Sequence, residues 1–192
     1  MQLPELHAGF ASAGEMAAPV IHRDLKPSNI IVSGANYTPD TGMTFSSLVI
    51  IDLGIARVWR EGADADTVKF GTRPYAPPEQ YGFGQTSVRS DVYALGALLF
   101  FCLTGADPKP GRNMREQCEA YDIPASLADV ICMAMALDPD KRFASAKALG
   151  HAARASYALS APTPSSAPNA ASFQEPPERR AVCPAPVLPT DQ

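Results

Sequence analysis

The sequence predicts a mainly α domain with one small β-hairpin near its start and a low-complexity tail at its end. Three observations predict this. Val92 to Leu103 is apolar on every side of a helix, as a helix packed all round must be. Ile30-Ile31-Val32 and Leu48-Val49-Ile50-Ile51 are short aliphatic, largely β-branched runs separated by a polar stretch rich in turn formers, the pattern of paired strands. From Ser160 onward Pro, Ala and Ser dominate, and such a segment cannot bury enough apolar surface to offset its ordering entropy. The expected division is therefore a folded domain over 1–159 and a disordered tail over 160–192.

The bulk properties exclude several classes. A chain of 192 residues with 46% hydrophobic and 19% charged side chains is long enough for one real core. Its formal charge of −4 and pI near 5.3 argue against a nucleic-acid surface, which needs a basic stripe. Cys102, Cys118, Cys132 and Cys183 form no C-x-x-C pair and have no metal spacing to His, so they read as small buried hydrophobes in a reducing compartment. The first eighteen residues carry Glu5 and Glu15 and no basic cluster, unlike a secretory signal. The longest apolar run is too short to span a bilayer. A cytoplasmic protein with no membrane segment is expected.

In chain order, Leu3, Leu6, Phe10 and Ala13 recur at helical steps, and Gly14 and Pro19 stop that short helix. Val20-Ile21 is a short buried strand. The two aliphatic runs are the arms of the hairpin, with Ser33 to Ser47 as its turn-rich connection. Arg57 to Lys69 is polar without periodicity and reads as an exposed loop. The central helix is capped by Ser90 or Asp91 and ended by Thr104-Gly105. A Pro-rich linker follows. Leu127, Val130, Ile131, Met133 and Leu137 then mark an amphipathic helix, and Ser145 to Leu159 a last one.

The chemistry-bearing stretch is His22-Arg23-Asp24-Leu25-Lys26-Pro27-Ser28-Asn29, which fills the pattern H-R-D-L-x-x-x-N. With residue types at roughly one in twenty, five specified positions arise by chance in such a chain with probability on the order of 10⁻⁴. Alone, Asp24 reads as an Asx turn or a helix cap. Together the residues suit phosphoryl transfer, which needs a proton acceptor, cations around the phosphates and in-line positioning. Asp24 supplies the acceptor, Lys26 a positive charge, and Asn29 an uncharged oxygen ligand for Mg²⁺. Pro27 stiffens the turn. The hairpin brings Asp52-Leu53-Gly54 to the same site across 23 positions, turning Asn29 and Asp52 into a metal pair.

Further motifs make a family resemblance explicit. Gly71-Thr72-Arg73-Pro74-Tyr75-Ala76-Pro77-Pro78-Glu79 follows the G-T-x-x-Y run ending in P-E, Asp52-Leu53-Gly54 is a D-F-G element with Leu for Phe, and Asp138-Pro139-Asp140-Lys141-Arg142-Phe143 is a D-P-x-x-R element. The chain resembles the C-terminal, helical lobe of a eukaryotic-like (Hanks-type) serine/threonine protein kinase of the kind bacteria also carry, over roughly Val20 to Leu159. The resemblance implies that Asp24 is the catalytic acceptor, that Lys26 and Thr72 complete a site for Ser/Thr hydroxyls, and that Lys26, Asn29 and Asp52 bind ATP with Mg²⁺ on Asn29 and Asp52. It implies structural roles for His22, for Gly54 as the backbone turn, for Asp91 holding the catalytic-loop backbone, and for Glu79 pairing with Arg142. It also implies regulation: Arg23 contacts a phosphate on the activation segment, for which Thr67 is the candidate site. The Pro-rich linker after Gly105 stands where the family has a longer substrate-side helix.

The resemblance stops short at the front. Only 21 residues precede His22, and no G-x-G-x-x-G loop precedes it, so the N-terminal lobe with its phosphate-covering loop and clamping lysine is absent from these residues. Two functions follow as expectations. In one, this is a partial kinase domain, acting on protein substrates once a missing N-terminal lobe or a partner kinase completes it. In the other, it is a catalytically inactive lobe that serves as a protein-binding module.

Overall fold

The computed structural model describes residues 18–34, 36–38, 42–44, 47–58 and 71–160. Six short strands come first: β1 (Val20–Ile21), β2 (Ile30–Ser33), β3 (Asn36–Thr38), β4 (Gly42–Thr44), β5 (Ser47–Ile50) and β6 (Arg57–Val58). Four helices follow: α1 (Val88–Thr104), α2 (Met114–Ala120), α3 (Ala125–Ala134) and α4 (Ala146–Ser160). Single 3₁₀ turns occupy Pro27–Asn29, Pro78–Tyr81 and Pro139–Lys141.

The expected hairpin is present. β2 and β5 pair antiparallel, from Ile30 opposite Ile50 to Ser33 opposite Ser47. The expectation of one hairpin is corrected, because the described residues hold three two-stranded sheets. β3 pairs with β4 inside the stretch read as turn formers, and β1 pairs with β6, so Arg57 and Val58 are strand rather than loop. Strands of two or three residues are too short for alternation to register in a sequence. The opening helix and the tail beyond Ser160 lie outside the described residues.

Helix α1 is the centre of the domain. Ser87 is its N-cap: the Ser87 hydroxyl accepts from the Arg89 amide at 3.2 Å, and the Ser90 hydroxyl accepts from the Ser87 amide at 3.0 Å. This reciprocal box satisfies two amides that the first turn would leave orphaned. It corrects the cap to three residues before Ser90, which leaves Ser90 and Asp91 inside the first turn. The helix ends as expected at Gly105, whose φ of +68° suits a residue without Cβ.

Three apolar clusters form around α1. Ala94, Ala97 and Leu98 pack with Leu25 and Tyr75; Phe100 packs with Cys118, Leu127 and Ile131; and Val92 packs with Val130, Ala134 and Leu149. Close approach of α1 and α3 needs Gly96, where a Cβ would lie 2.7 Å from Ala134 Cβ and 3.0 Å from Met135 Cγ. Burial is not complete all round, since Cys102 and Leu103 in the last turn are exposed. Met133 is also exposed, and Leu137 lies beyond the end of α3 in solvent. Of the cysteines among the described residues, Cys118 is the buried one, and burial with help from Cys132 pushes its thiol up to about 11. The segment after Gly105 holds a helix as well as prolines: Asn113 caps α2 by accepting from the Arg115 amide at 2.9 Å. No helix among the described residues is long and apolar enough to cross a membrane.

One buried ion pair ties the chain together over 63 positions. Arg142 Nη1 and Nη2 donate to Glu79 Oε1 and Oε2 at 2.6 and 3.0 Å. The remaining guanidinium protons go to the carbonyls of Ala136 (2.7 Å), Arg89 (3.0 Å) and Leu137 (3.1 Å), so all five donors have acceptors. Ser90 Oγ donates to Glu79 Oε1 at 2.8 Å, which joins the pair to the α1 cap. Removing one partner strands the other charge in the interior. Arg142→Met is expected to cost about 3–5 kcal/mol in urea unfolding, and Glu79→Leu combined with Arg142→Met to cost clearly less than either single change. Additive losses in the double variant would contradict this coupling.

Candidate active site

The segment from His22 to Asn29 leaves β1 and enters β2 through the Pro27–Asn29 turn, where Pro27 occupies a position whose amide would be orphaned anyway. Its anchors are apolar and polar at once. Leu25 and His22 are fully buried, Leu25 in the cluster with Tyr75 and Ala97. The Asp91 carboxylate, wholly buried in the first turn of α1, accepts from the amides of His22 (2.8 Å) and Arg23 (2.9 Å). The N-terminal end of a helix favours a negative charge, so burial there is tolerated.

The backbone is strained at this point. Arg23 has φ of +71°, a left-handed conformation that costs a non-glycine residue about 1–3 kcal/mol unless its surroundings fix it. Asp91 fixes its amide, and the buried Gln80 amide donates to its carbonyl at 2.7 Å. The strain aims the next residue, Asp24, away from the core.

Asp24 is the hub of a polar triangle. Lys26 Nζ donates to Asp24 Oδ2 at 2.7 Å and to Thr72 Oγ1 at 3.2 Å, and Thr72 Oγ1 donates to Asp24 Oδ1 at 3.2 Å. Asn29 Nδ2 donates to the Asp24 carbonyl at 2.9 Å and to Oδ2 at 3.1 Å. The amide nitrogen is committed to Asp24, which leaves Oδ1 as the side-chain atom of Asn29 that could take a cation.

Asp52 is fastened beside this loop through its neighbour. Ile51 donates its amide to the Asn29 carbonyl at 2.9 Å, and its carbonyl accepts from His22 Nε2 at 3.2 Å. His22 Nδ1 in turn accepts from the Asp24 amide at 3.4 Å, which assigns the ring proton to Nε2. Asp52 itself has φ of +65° and is exposed, and its Oδ1 accepts from the Gly54 amide at 3.1 Å. A Cβ on Gly54 would lie 3.0 Å from that same oxygen, so a side chain there crowds the carboxylate.

His22, Asp24, Lys26, Asn29 and Thr72 thus share one hydrogen-bonded network, with Asp52 and Gly54 joined to it through Ile51. Glu79 and Arg142 form a separate buried pair, and Asp91 links the two regions through α1. Thr67 lies outside the described residues. The donor set offered to a metal, an amide oxygen and a carboxylate, is hard and suits Mg²⁺, which keeps several waters and takes few protein ligands. Among the described residues no group of three or more His, Cys, Asp or Glu is arranged to hold a metal alone.

Two contributors escape sequence reasoning. Gln80 is a polar residue in a polar-looking turn, and nothing in its neighbours marks it as buried. Tyr75 fills the core while its hydroxyl donates to the Asp107 carboxylate, an arrangement in which burial first and Asp107 second raise the phenol well above its usual range. Gly71, at φ of +124°, lets this segment pass Ala76 and Gln80, which a Cβ would meet at 2.6 and 3.0 Å.

The protein kinase domain family model matches residues 15–153. The chain is similar to serine/threonine-protein kinase PknD of Mycobacterium tuberculosis, at 32% identity over 149 residues covering 70% of this chain and 21% of that protein. It is similar to serine/threonine-protein kinase A of Synechocystis, at 33% identity over 151 residues covering 71% of this chain and 28% of that protein. It is also similar to serine/threonine-protein kinase PknB of Mycobacterium tuberculosis, at 32% identity over 143 residues covering 66% of this chain and 21% of that protein. The chain therefore spans only between a fifth and a third of the length of these relatives.

Asp91→Ala removes the acceptor of two loop amides. Each unsatisfied amide costs about 1–3 kcal/mol, so exchange of the His22 and Arg23 amides with deuterated solvent is expected to accelerate roughly tenfold or more. Unchanged protection at both would show that other contacts hold the loop.

Proposed function

Because this chain belongs to the protein kinase family, we propose that it is the C-terminal lobe of a serine/threonine protein kinase and carries that enzyme's catalytic base and metal ligands. The observation that carries this reading is the triangle of Asp24, Lys26 and Thr72 with Asn29 beside it. The family generally uses ATP and Mg²⁺, which when bound supply the phosphoryl group and much of the positive charge around it.

In this reading Asp24 Oδ1 would exchange its bond to Thr72 for one to the substrate hydroxyl and accept its proton, while the hydroxyl oxygen bonds to the γ-phosphorus of ATP and the bond to the β–γ bridging oxygen breaks to release ADP. Lys26 holds the Asp24 carboxylate in place at 2.7 Å and contributes positive charge where negative charge gathers. Asn29 Oδ1 and the Asp52 carboxylate would hold Mg²⁺, and Gly54 keeps the space around Asp52 Oδ1 clear. Thr72 sits against both Asp24 and Lys26 and favours an aliphatic Ser or Thr hydroxyl. Arg23 reads a phosphate on Thr67, added by this protein or by a partner. A glycine-rich loop and a clamping lysine must come from residues other than these 192 to complete the ATP cleft. The protein acts in the cytoplasm on protein substrates.

A second reading has a specific observation behind it. Ile31 with Val49 on one face of the β2–β5 pair, Val32 with Leu48 on the other, and Leu53 beside it are all exposed, apolar surface on both faces of an uncovered hairpin of the kind that marks protein contact. An inactive lobe that binds a partner kinase through this hairpin is the alternative.

The two readings separate by experiment. The 192-residue chain alone is expected to bind ATP–Mg weakly at best and to transfer no phosphate, because an open site admits water. Supplied with a kinase N-terminal lobe bearing the glycine-rich loop and lysine, it is expected to phosphorylate protein, and Asp24→Ala to lower kcat by roughly 10²- to 10⁴-fold. Robust autophosphorylation by the chain alone, abolished by Asp24→Ala, would contradict the need for the second lobe. Phosphopeptide mapping of the completed, active protein is expected to find phosphate on Thr67; a Thr67 that is always unmodified would count against its regulatory role.

A further inference from the structure

A groove of about 560 Å³ lies between Pro74, the loop that follows α1 and the turn that follows α3. Its lining divides by chemistry. Lys109, Arg112 and Arg115 supply three cations, no Asp or Glu lines it, and Tyr93, Met135 and Leu137 supply apolar surface. Arg115 is paired with Asp129, whereas Lys109 and Arg112 have no carboxylate within ion-pair distance among the described residues. Asp107 and Glu116 line a smaller hollow that Lys109 and Arg112 also border, and Asp107 is engaged by the Tyr75 hydroxyl.

The backbone that carries Lys109 and Arg112 is held in place. Gln117 Oε1 accepts from the Lys109 amide at 2.7 Å, and Gln117 Nε2 donates to the carbonyls of Lys109 (3.2 Å) and Arg112 (3.4 Å). A loop fixed by a side-chain amide gives up little entropy when a ligand arrives. The apolar surface is offered as well, since Leu137 is 75% exposed. Leu137, Met135 and Tyr93 thus put an apolar wall beside Lys109 and Arg112, two cations with no carboxylate partner among the described residues.

We propose that this groove docks an acidic segment of the protein substrate, with glutamate or aspartate side chains on Lys109 and Arg112 and an apolar side chain against Leu137, Met135 and Tyr93. The proposal rests on the kinase reading for its role and on the groove alone for binding. Pro74 is two residues past Thr72, whose hydroxyl touches Asp24, and two residues span at most about 7 Å. A polypeptide in the groove therefore continues toward the hydroxyl acceptor site. Neither free phosphate nor a nucleic acid fits as well: phosphate leaves the apolar surface unused, and a short group of cations beside an apolar wall is not the basic stripe that a nucleic-acid backbone needs. Docking at a distance from the reacting hydroxyl lowers KM and leaves kcat alone.

The test uses fluorescence anisotropy with the 192-residue chain and a labelled peptide of glutamates flanking one leucine in a Gly-Ser background. The peptide is expected to bind, less tightly as salt rises. Replacing its glutamates by Gln, or its leucine by Ser, is expected to weaken binding. Lys109→Glu with Arg112→Glu is expected to weaken it at least roughly tenfold through like-charge repulsion. Lys147→Glu with Arg154→Glu, the same charge change at exposed positions of α4, is expected to leave it unaltered. Equal binding of the Gln peptide, equal loss in the α4 variant, or tighter binding of a DNA oligonucleotide would overturn the proposal. Asp24→Asn, expected to abolish transfer and leave peptide binding unaltered, keeps the two readings apart. Peptide binding by a lobe-completed protein that transfers no phosphate even with Asp24 intact sinks the catalytic reading alone, and phosphate transfer whose KM ignores the acidic segment sinks the groove alone.

Discussion

The buried carboxylate of Asp91 is the constraint on which the site depends. It accepts two consecutive amides from a segment almost seventy residues earlier, at 2.8 and 2.9 Å, and does so from the first turn of the most deeply packed helix. A charge buried this completely costs several kcal/mol unless it is met by donors and a favourable field. Two amides and the helix N-terminus meet it. The result is a rigid connection between the core and a loop that has little regular structure of its own.

That connection explains how the strained backbone persists. Arg23 and Asp52 are both non-glycine residues at positive φ, one on each side of the network around Asp24. Arg23 is fixed at its amide by Asp91 and at its carbonyl by Gln80, and Asp52 is fixed by the two bonds at Ile51 and by the Gly54 amide. Each left-handed residue redirects the chain by a turn that an extended strand cannot make. The hydrogen bonds that over-determine these turns are contributed by the β2–β5 ladder and by α1, so positions distant in sequence set the orientation of the polar groups.

Helices α1, α3 and α4, the β2–β5 hairpin and the gathering of Asp24, Lys26, Asn29 and Thr72 were legible in the sequence because each leaves a local or a pattern-level signal. α1 announces itself by a long apolar run, and the hairpin by two aliphatic runs around turn formers. β1, β3, β4 and β6 leave no such signal, because pairing of two or three residues is decided by tertiary approach rather than by alternation. The cap of α1 was misplaced because Ser87, Ser90 and Asp91 are all good caps, and only the geometry shows that Ser90 completes a box while Asp91 is used elsewhere. α2 was hidden by Pro108 and Pro110, which read as a linker until Asn113 restarts a helix. Gln80 was invisible because its role, a bond to a strained carbonyl, belongs to the fold and not to its neighbours.

The groove and the buried ion pair meet at one side chain. The Arg142 guanidinium lies 5.1 Å from the centre of the Tyr93 ring, and Tyr93 is also a wall of the groove. Burial raises the Tyr93 phenol while Arg142 draws it down, so the ring sits between an apolar interior and a fixed cation. Because all five guanidinium donors are used, the cation cannot swing away from the ring without breaking a bidentate pair to Glu79. Glu79 in turn belongs to the same turn as Gln80, which holds the Arg23 carbonyl. The polar contacts of the loop around Asp24 and the separate Glu79–Arg142 pair therefore meet in the Pro78–Tyr81 turn through the adjacent residues Gln80 and Glu79, and the pair reaches the wall of the groove at Tyr93. A wall built in this way keeps its shape at the cost of adaptability, which suits recognition of an extended segment by charge and by one apolar contact rather than by induced fit.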